Sequence, residues 1–93
     1  MTDEERLTLL KSDLQMLTSA NDVFLKSLIE TAKAAIQREG ITLAENDMDI
    51  DMAVVQYAAY LFRKRAAADT AMPRFLRYRL NNIHFSQHSG GGS

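Results

Sequence analysis

The sequence predicts an all-α protein: a small bundle of three to four helices followed by a flexible C-terminal tail. Apolar residues recur at spacings of three and four in several segments, which is the period of an amphipathic helix. Helix-breaking residues are scarce before the C-terminus, where one proline and one glycine, Gly40, precede the final glycine run. A chain of 93 residues, 46% of them hydrophobic, has the size of one domain. We therefore expect a helical domain over residues 1–83 and a tail over residues 84–93.

The first predicted helix begins with a capping box. Thr2 offers a hydroxyl to the free amides of the first turn, and Glu5 follows three residues later. A leucine stripe continues along one face, formed by Leu7, Leu10, Leu14 and Leu17. Residues 18–21 are expected to end this helix. The opening residues lack the basic and then apolar pattern of a secretory signal, so we expect no leader.

The second predicted helix covers roughly residues 20–39. Its apolar positions share one face and are Leu25, Leu28, Ile29, Ala32, Ala35 and Ile36. Ser19 or Asn21 is expected to cap its N-terminus, and Gly40 to supply the left-handed residue that ends it. A short acidic connection over residues 41–50 leads to the next helix.

The third predicted helix contains residues 52–62, which are apolar on nearly every side and precede a basic cluster. Asp49 or Asp51 is expected to cap it. A helix that is apolar all round must be covered all round, and a neighbouring subunit would provide part of that cover. The residues expected at a contact between subunits are Tyr57, Tyr60, Leu61, Arg63 and Arg65.

A short last helix is predicted after a loop over residues 66–72, with Pro73 in its first turn. Its apolar residues are Phe75, Leu76, Leu80 and Ile83, and arginines stand between them. From His84 onward the chain is polar and ends in glycine and serine, which is typical of a flexible linker.

Charge is unevenly distributed along the chain. Residues 1–51 hold eleven of the twelve acidic residues and five basic ones, a net charge of −6. Residues 52–93 hold six basic residues and one acidic residue, a net charge of +5. Such a split favours head-to-tail docking of copies, or contact of a basic end with an acidic partner. Charges placed to complement helix ends explain the split equally well.

The sequence carries no motif for catalysis or cofactor binding. Cysteine is absent, and the acidic run over residues 47–51 fails the EF-hand pattern, because Met52 and Ala58 stand where glycine and glutamate are required. His84 and His88 have the spacing of two ligands on one helix face, but no third ligand is nearby, so a solvated pair is expected. We expect no enzymatic activity, no cofactor and no metal. No apolar run reaches the ~20 residues that cross a membrane.

The order of these features resembles the head–tail connector (adaptor) proteins of tailed phages. The segment from Leu25 to Ile36 matches the pattern L-x-x-L-I-x-x-A-x-x-x-I, and that from Pro73 to Arg79 matches P-x-x-L-x-x-(Y/R). Residues 53–65 are similar to the second long helix of that family, which often ends in a charged cluster. The likeness extends over about residues 7–80.

The resemblance implies a structural virion protein at the head–tail junction, made in the host cytoplasm. Such a subunit forms a homo-oligomeric ring under the portal protein, a dodecamer in the virion, and docks a tail-side completion or stopper protein. The ring extends the DNA channel, and DNA passes through it without specific binding. On this expectation, the residues that dock on the portal or lie at subunit seams are Arg74, Arg77, Arg79, Ile83 and Phe85.

Two other hypotheses stay open at this point. The basic C-terminal half, with its interleaved aromatic residues, would suit a small helical DNA-binding or DNA-packaging accessory protein. The second is a monomeric helical domain that binds one protein partner and forms no ring. Salt-dependent binding to duplex DNA separates the first from the connector hypothesis, and the oligomeric state separates the second.

Overall fold

The computed structural model describes residues 1–89, which form four helices and no strand, and this confirms the all-α prediction. The helices are α1 (Asp3–Asp13), α2 (Asp22–Arg38), α3 (Met48–Ala66) and α4 (Arg74–Ser89). None of the four is both long enough and apolar enough to span a bilayer. The part of the predicted tail over residues 90–93 lies outside the described residues.

The start of α1 is the predicted capping box. The Thr2 hydroxyl accepts a hydrogen bond from the backbone N–H of Glu5 at 3.2 Å, and the Glu5 carboxylate accepts one from the backbone N–H of Thr2 at 2.8 Å. The pKa of the Glu5 carboxyl is lowered, mainly by the hydrogen bond from the Thr2 backbone and to a lesser extent by one with the Thr2 hydroxyl, because both favour the ionised form.

The leucine stripe of α1 is shorter than the sequence suggested. The helix ends at Asp13, and Gln15 turns the chain with a φ of 59°. Leu7 and Leu10 lie before this turn and are buried, whereas Leu17 lies after it and is fully exposed. The predicted core role of Leu17 is therefore wrong, because the helical period stops before this residue.

The buried face of α2 follows the predicted pattern. Its fully buried members are Leu25, Ile29, Ala32 and Ile36, with Leu28 and Ala35 half-buried beside them. Gly40 has a φ of +89°, which confirms it as the left-handed residue after the helix. Asn21 occupies the N-cap position, but its side chain makes no capping hydrogen bond, so the predicted side-chain cap is not formed there.

The N-terminus of α3 differs from the prediction. Asp47 is the cap, and its carboxylate accepts a hydrogen bond from the backbone N–H of Ile50 at 3.3 Å. The predicted caps, Asp49 and Asp51, both lie inside the helix. The physical reason is that Ile50 is already a core residue, so the helix includes the turn before the apolar run and begins at Met48.

The centre of the fold is α3, which packs against α1, α2 and α4. Its buried residues are Ile50, Asp51, Ala53, Val54, Val55, Ala58 and Ala59. The alanines allow close approach of neighbouring helices on several sides. Cover by the other three helices of the same chain therefore accounts for most of the all-round apolar surface that the sequence assigned in part to a second subunit.

The core face of α4 consists of Leu76, Leu80 and Ile83. Pro73 stands immediately before the helix rather than in its first turn, and its carbonyl accepts hydrogen bonds from the N–H groups of Leu76 and Arg77. The helix packs mainly on α3, whereas α1, α2 and α3 all pack against one another.

The predicted tail is wrong over residues 84–89, which complete the last turns of α4. Gln87 donates to the carbonyl of Thr42 and accepts from its N–H, both at 2.8 Å. His88 donates through Nε2 to the carbonyl of Gly40 at 2.7 Å. These contacts tie a polar helix end to the turn after α2, which supplies the ordering that the composition of the segment did not suggest. We call them the C-terminal clasp.

Candidate functional site

The apolar residues of α3 that were predicted at a subunit contact are half-buried in their own chain. Tyr57, Tyr60 and Leu61 pack against the hydrophobic core. The two tyrosine rings meet edge to face with their centroids 5.9 Å apart, and the ammonium of Lys64 lies 5.6 Å from the Tyr60 ring centre. Burial raises the pKa of the Tyr57 hydroxyl. These half-buried side chains therefore expose only part of their surface and do not form an open apolar patch.

The basic residues at the end of α3 also contact their own chain. Arg63 pairs with Asp13 at 3.2 Å, which joins the last turns of α1 and α3. The guanidinium of Arg65 lies 4.5 Å from the centre of the Phe24 ring, and that ring in turn lies 6.2 Å from the ring of Phe62. Both arginines are exposed at their tips, so these contacts position them without removing them from solvent.

Three of the residues predicted to dock on a portal or lie at a seam are engaged within the chain. Arg77 forms a bidentate ion pair with the carboxylate of Glu39, and Arg79 pairs with Asp49 at 2.7 Å. Ile83 is buried in the core. The packing of α4 on α3 explains this, because it brings the basic second half of the chain onto the acidic first half. Part of the charge split is therefore neutralised inside one molecule.

The two remaining candidates on α4, Arg74 and Phe85, lie on the opposite, solvent-facing side of the helix, together with two aromatic residues that were not predicted there. Phe75, Tyr78 and Phe85 are 58%, 61% and 71% exposed. Their spacings of three and seven place them on one side of the helix, and we call these three residues the α4 face. Arg74 is exposed at the start of the same helix, whose residues include three arginines and no carboxylate.

Sequence reasoning identified this face only in part. Phe75 was assigned to the core stripe with Leu76, although the two are adjacent and so point 100° apart on a helix. Tyr78 was noted only as an aromatic residue between arginines. A helical projection centred on Leu76, Leu80 and Ile83 would have separated the two faces, because the core residues leave Phe75 and Tyr78 outside their arc.

A partly buried ion-pair network between α1 and α3 was not predicted. Arg6 contacts Asp51 at 2.9 Å and Asp3 at 2.6 Å, and Lys33 of α2 lies 3.5 Å from Asp3. Burial alone would raise the pKa of Asp3, but the Arg6 hydrogen bond and the Lys33 charge outweigh it and lower that pKa. The network joins three helices, and no local sequence signal marks it, because Arg6 and Asp51 are 45 residues apart.

Among residues 1–89, no three His, Cys, Asp or Glu side chains are grouped closely enough to hold a metal ion. No protein-family model, curated protein or solved structure matches this chain.

Proposed function

We propose that this protein is a structural subunit of a tailed-phage head–tail connector, which assembles as a ring under the portal protein and docks a tail-side component. The observation that carries the proposal is the α4 face. A monomer gains nothing from three large aromatic side chains in water on one helix face, whereas an assembly subunit buries them against another chain. The order and motifs of the helices support the family, and the α4 face supports the contact surface.

The size of the α4 face supports multiple contacts rather than a tight dimer. Three aromatic side chains at these exposures leave roughly 300–400 Å² in water, given ~150–250 Å² for each buried aromatic residue. Covering that area yields about 8–10 kcal/mol at ~25 cal/mol per Å². Association itself costs ~4–15 kcal/mol, so this face alone gives weak pairing. A closed ring, in which every subunit contacts two neighbours, adds further contacts and stabilises the assembly.

Fewer arginines are available for ion pairs between subunits than the sequence suggested. Arg77 and Arg79 are paired within the chain, which leaves Arg74 as the exposed α4 arginine without a carboxylate partner among the described residues. Exposed ion pairs contribute only ~0.2–1 kcal/mol each. We therefore expect ring assembly to depend mainly on apolar contact and to weaken only moderately at high salt. Arginines held in their own chain also suit a channel along which DNA slides.

One observation favours the alternative, a DNA-binding or DNA-packaging accessory protein. The α4 face stands beside Arg74 on a helix without carboxylates, and exposed aromatic rings with arginine stack on bases and contact phosphate. The pairing of Arg77 with Glu39 and of Arg79 with Asp49 reduces the positive charge available for phosphate. The connector hypothesis therefore explains more of the surface.

The test compares assembly of the full chain with that of two exposed-surface variants. Sedimentation velocity and negative-stain imaging over a range of concentrations should reveal rings for the unmodified protein. Phe75→Ser combined with Phe85→Ser should remain monomeric with unchanged helicity, because both side chains are exposed. Val23→Ser is the matched control, since Val23 is 85% exposed but lies on α2. It should assemble normally.

A monomer at all concentrations, or rings that survive loss of the α4 face, would contradict this assignment. Tight, salt-sensitive binding to duplex DNA at physiological ionic strength would favour the accessory-protein alternative.

A further inference from the structure

The last turns of α4 bring two imidazole rings to the end of α2. The ring centroids of His84 and His88 are 4.3 Å apart, with planes inclined by 32°. Nε2 of His88 lies 2.7 Å from the carbonyl oxygen of Gly40. A methyl group attached to the Gly40 Cα would lie 3.3 Å from Nε2 of His84 and 3.9 Å from Nε2 of His88. Both Nε2 atoms therefore lie close to the Gly40 backbone.

The turn at Gly40 requires glycine, because its φ of +89° is a conformation that side chains rarely adopt. The lack of a Cβ also lets the His84 ring approach the turn closely. Three donor atoms lie together here, two imidazole nitrogens and one backbone carbonyl oxygen. Both histidines are exposed, so a dissolved ion reaches these atoms from solvent.

The helix ends beside these donor atoms favour a cation. α2 ends at Arg38 and α4 ends at Ser89, so the C-terminal ends of two helices meet there. Each such end carries a partial negative charge equivalent to ~0.5 of an elementary charge. The charged residues that precede Gly40 are Arg38, which is exposed, and Glu39, which pairs with Arg77.

We propose that Nε2 of His84, Nε2 of His88 and the carbonyl oxygen of Gly40 bind one divalent transition-metal ion of the Zn²⁺ or Ni²⁺ class, with water completing its coordination. Imidazole is a preferred ligand of these ions. Metal–nitrogen bonds of ~2.0–2.1 Å require both rings to turn their Nε2 atoms toward the ion, which exposed side chains achieve by rotation. The His88 proton moves from Nε2 to Nδ1, and both imidazoles remain neutral.

The sequence pointed away from this site because it offered two ligands and no third. The third donor is a backbone carbonyl 48 residues before His88, and only the fold of α4 onto the turn after α2 brings it near. The bound ion would link the ends of the two helices in place of the hydrogen bond from His88 to Gly40, while the Gln87 contacts with Thr42 remain. The site is independent of the α4 face and of the proposed connector role.

The experiment titrates NiCl₂ and ZnCl₂ into the full chain without any affinity tag, with isothermal calorimetry and thermal unfolding as readouts. Saturable one-site binding and a melting temperature that rises with metal concentration are expected, because the ion binds the folded state. MgCl₂ should have no effect, since Mg²⁺ prefers oxygen ligands. His84→Gln and His88→Gln should each abolish binding while leaving helicity unchanged.

Two controls separate the site from general histidine affinity. His88→Ser combined with Ser89→His keeps the composition but changes the spacing from four to five, so binding should be lost. Gln87→Ala removes the contacts to Thr42 without touching the imidazoles, and this variant should still bind. No binding of Ni²⁺ or Zn²⁺ to the unmodified protein, or equal binding by the spacing variant, would overturn the proposal. Equal stabilisation by Mg²⁺ would also overturn it.

Discussion

The first three helices and the fourth are held in place by different means. Each of α1, α2 and α3 packs against the other two, whereas α4 packs mainly on α3. A buried ion pair between Arg6 and Asp51 joins α1 to α3. α4 also buries a core face on α3, but its ion pairs, such as that of Arg79 with Asp49, lie at the surface, and its last turns are held by the C-terminal clasp.

This difference separates the helices that stabilise the fold from the helix whose surface is available to another chain. A helix enclosed by two neighbours has little surface left for another chain, whereas a helix packed on one neighbour keeps an outward face. The three exposed aromatic residues of α4 lie on such a face. We therefore expect changes in the α1–α3 unit to alter folding, and changes on the outer side of α4 to alter assembly.

The largest expected effect concerns the buried carboxylate of α3. Asp51 is 4% exposed and contacts Arg6, so Asp51→Ala leaves a mostly buried guanidinium without this partner. Loss of one member of a buried pair destabilises a protein by ~3–5 kcal/mol, and because Arg6 keeps its contact with Asp3 we expect the lower end of this range. Urea unfolding followed by circular dichroism measures this loss.

Asp49→Ala is the matched control, because Asp49 is two residues away on the same helix but its side chain is 71% exposed. Its pair with Arg79 should contribute only ~0.2–1 kcal/mol. Equal losses of stability in the two variants would show that the pair of Asp51 with Arg6 stabilises the fold no more than the exposed pair of Asp49 with Arg79.

A second prediction concerns the cooperativity of the two regions. Ile29 and Leu80 are both fully buried, the first in the α1–α3 unit and the second in α4. Replacement of either by alanine should cost ~2–5 kcal/mol. We expect Ile29→Ala to increase amide hydrogen exchange in all helices, and Leu80→Ala to increase it first in α4. Equal loss of protection in α2 and α4 of the Leu80 variant would indicate one cooperative unit.

The smallest expected effect is the pH dependence of α1. The pKa values of Asp3 and Glu5 are lowered from their ordinary values of 3.8 and 4.5. Their contribution is therefore present above those ordinary values and is lost as the pH falls through the lower folded-state values. Urea unfolding should show declining stability below about pH 4.5, and Asp3→Asn with Glu5→Gln should flatten this decline. An unchanged pH profile in the double variant would contradict the assignment.

The candidate site was less predictable than the helices. Of the ten residues assigned to contacts from the sequence, eight pack against or pair with their own chain, and the other two, Arg74 and Phe85, are exposed on α4. Residue type and helical spacing indicate whether a side chain makes an apolar or a charged contact, but they do not indicate whether its partner belongs to the same chain or to another. Phe75 shows the limit, since it fits an apolar stripe by type and faces solvent by position.

The features that the sequence by itself determined are local. The capping box of Thr2 and Glu5 and the left-handed turn at Gly40 depend on groups within a few residues, so composition and spacing specify them. The amphipathic period of α2 likewise required no knowledge of what covers it.

The tertiary structure decided every feature that depends on distant residues. The burial of Asp51 against Arg6 joins positions 45 apart, and the contact of His88 with Gly40 joins positions 48 apart. Residues 84–89 are helical although their composition is polar, and there Gln87 and His88 contact the turn after α2. The physical reason is that burial and pairing depend on which surfaces meet, and packing of α4 on α3 brings a basic helix to acidic partners that the linear sequence keeps far apart.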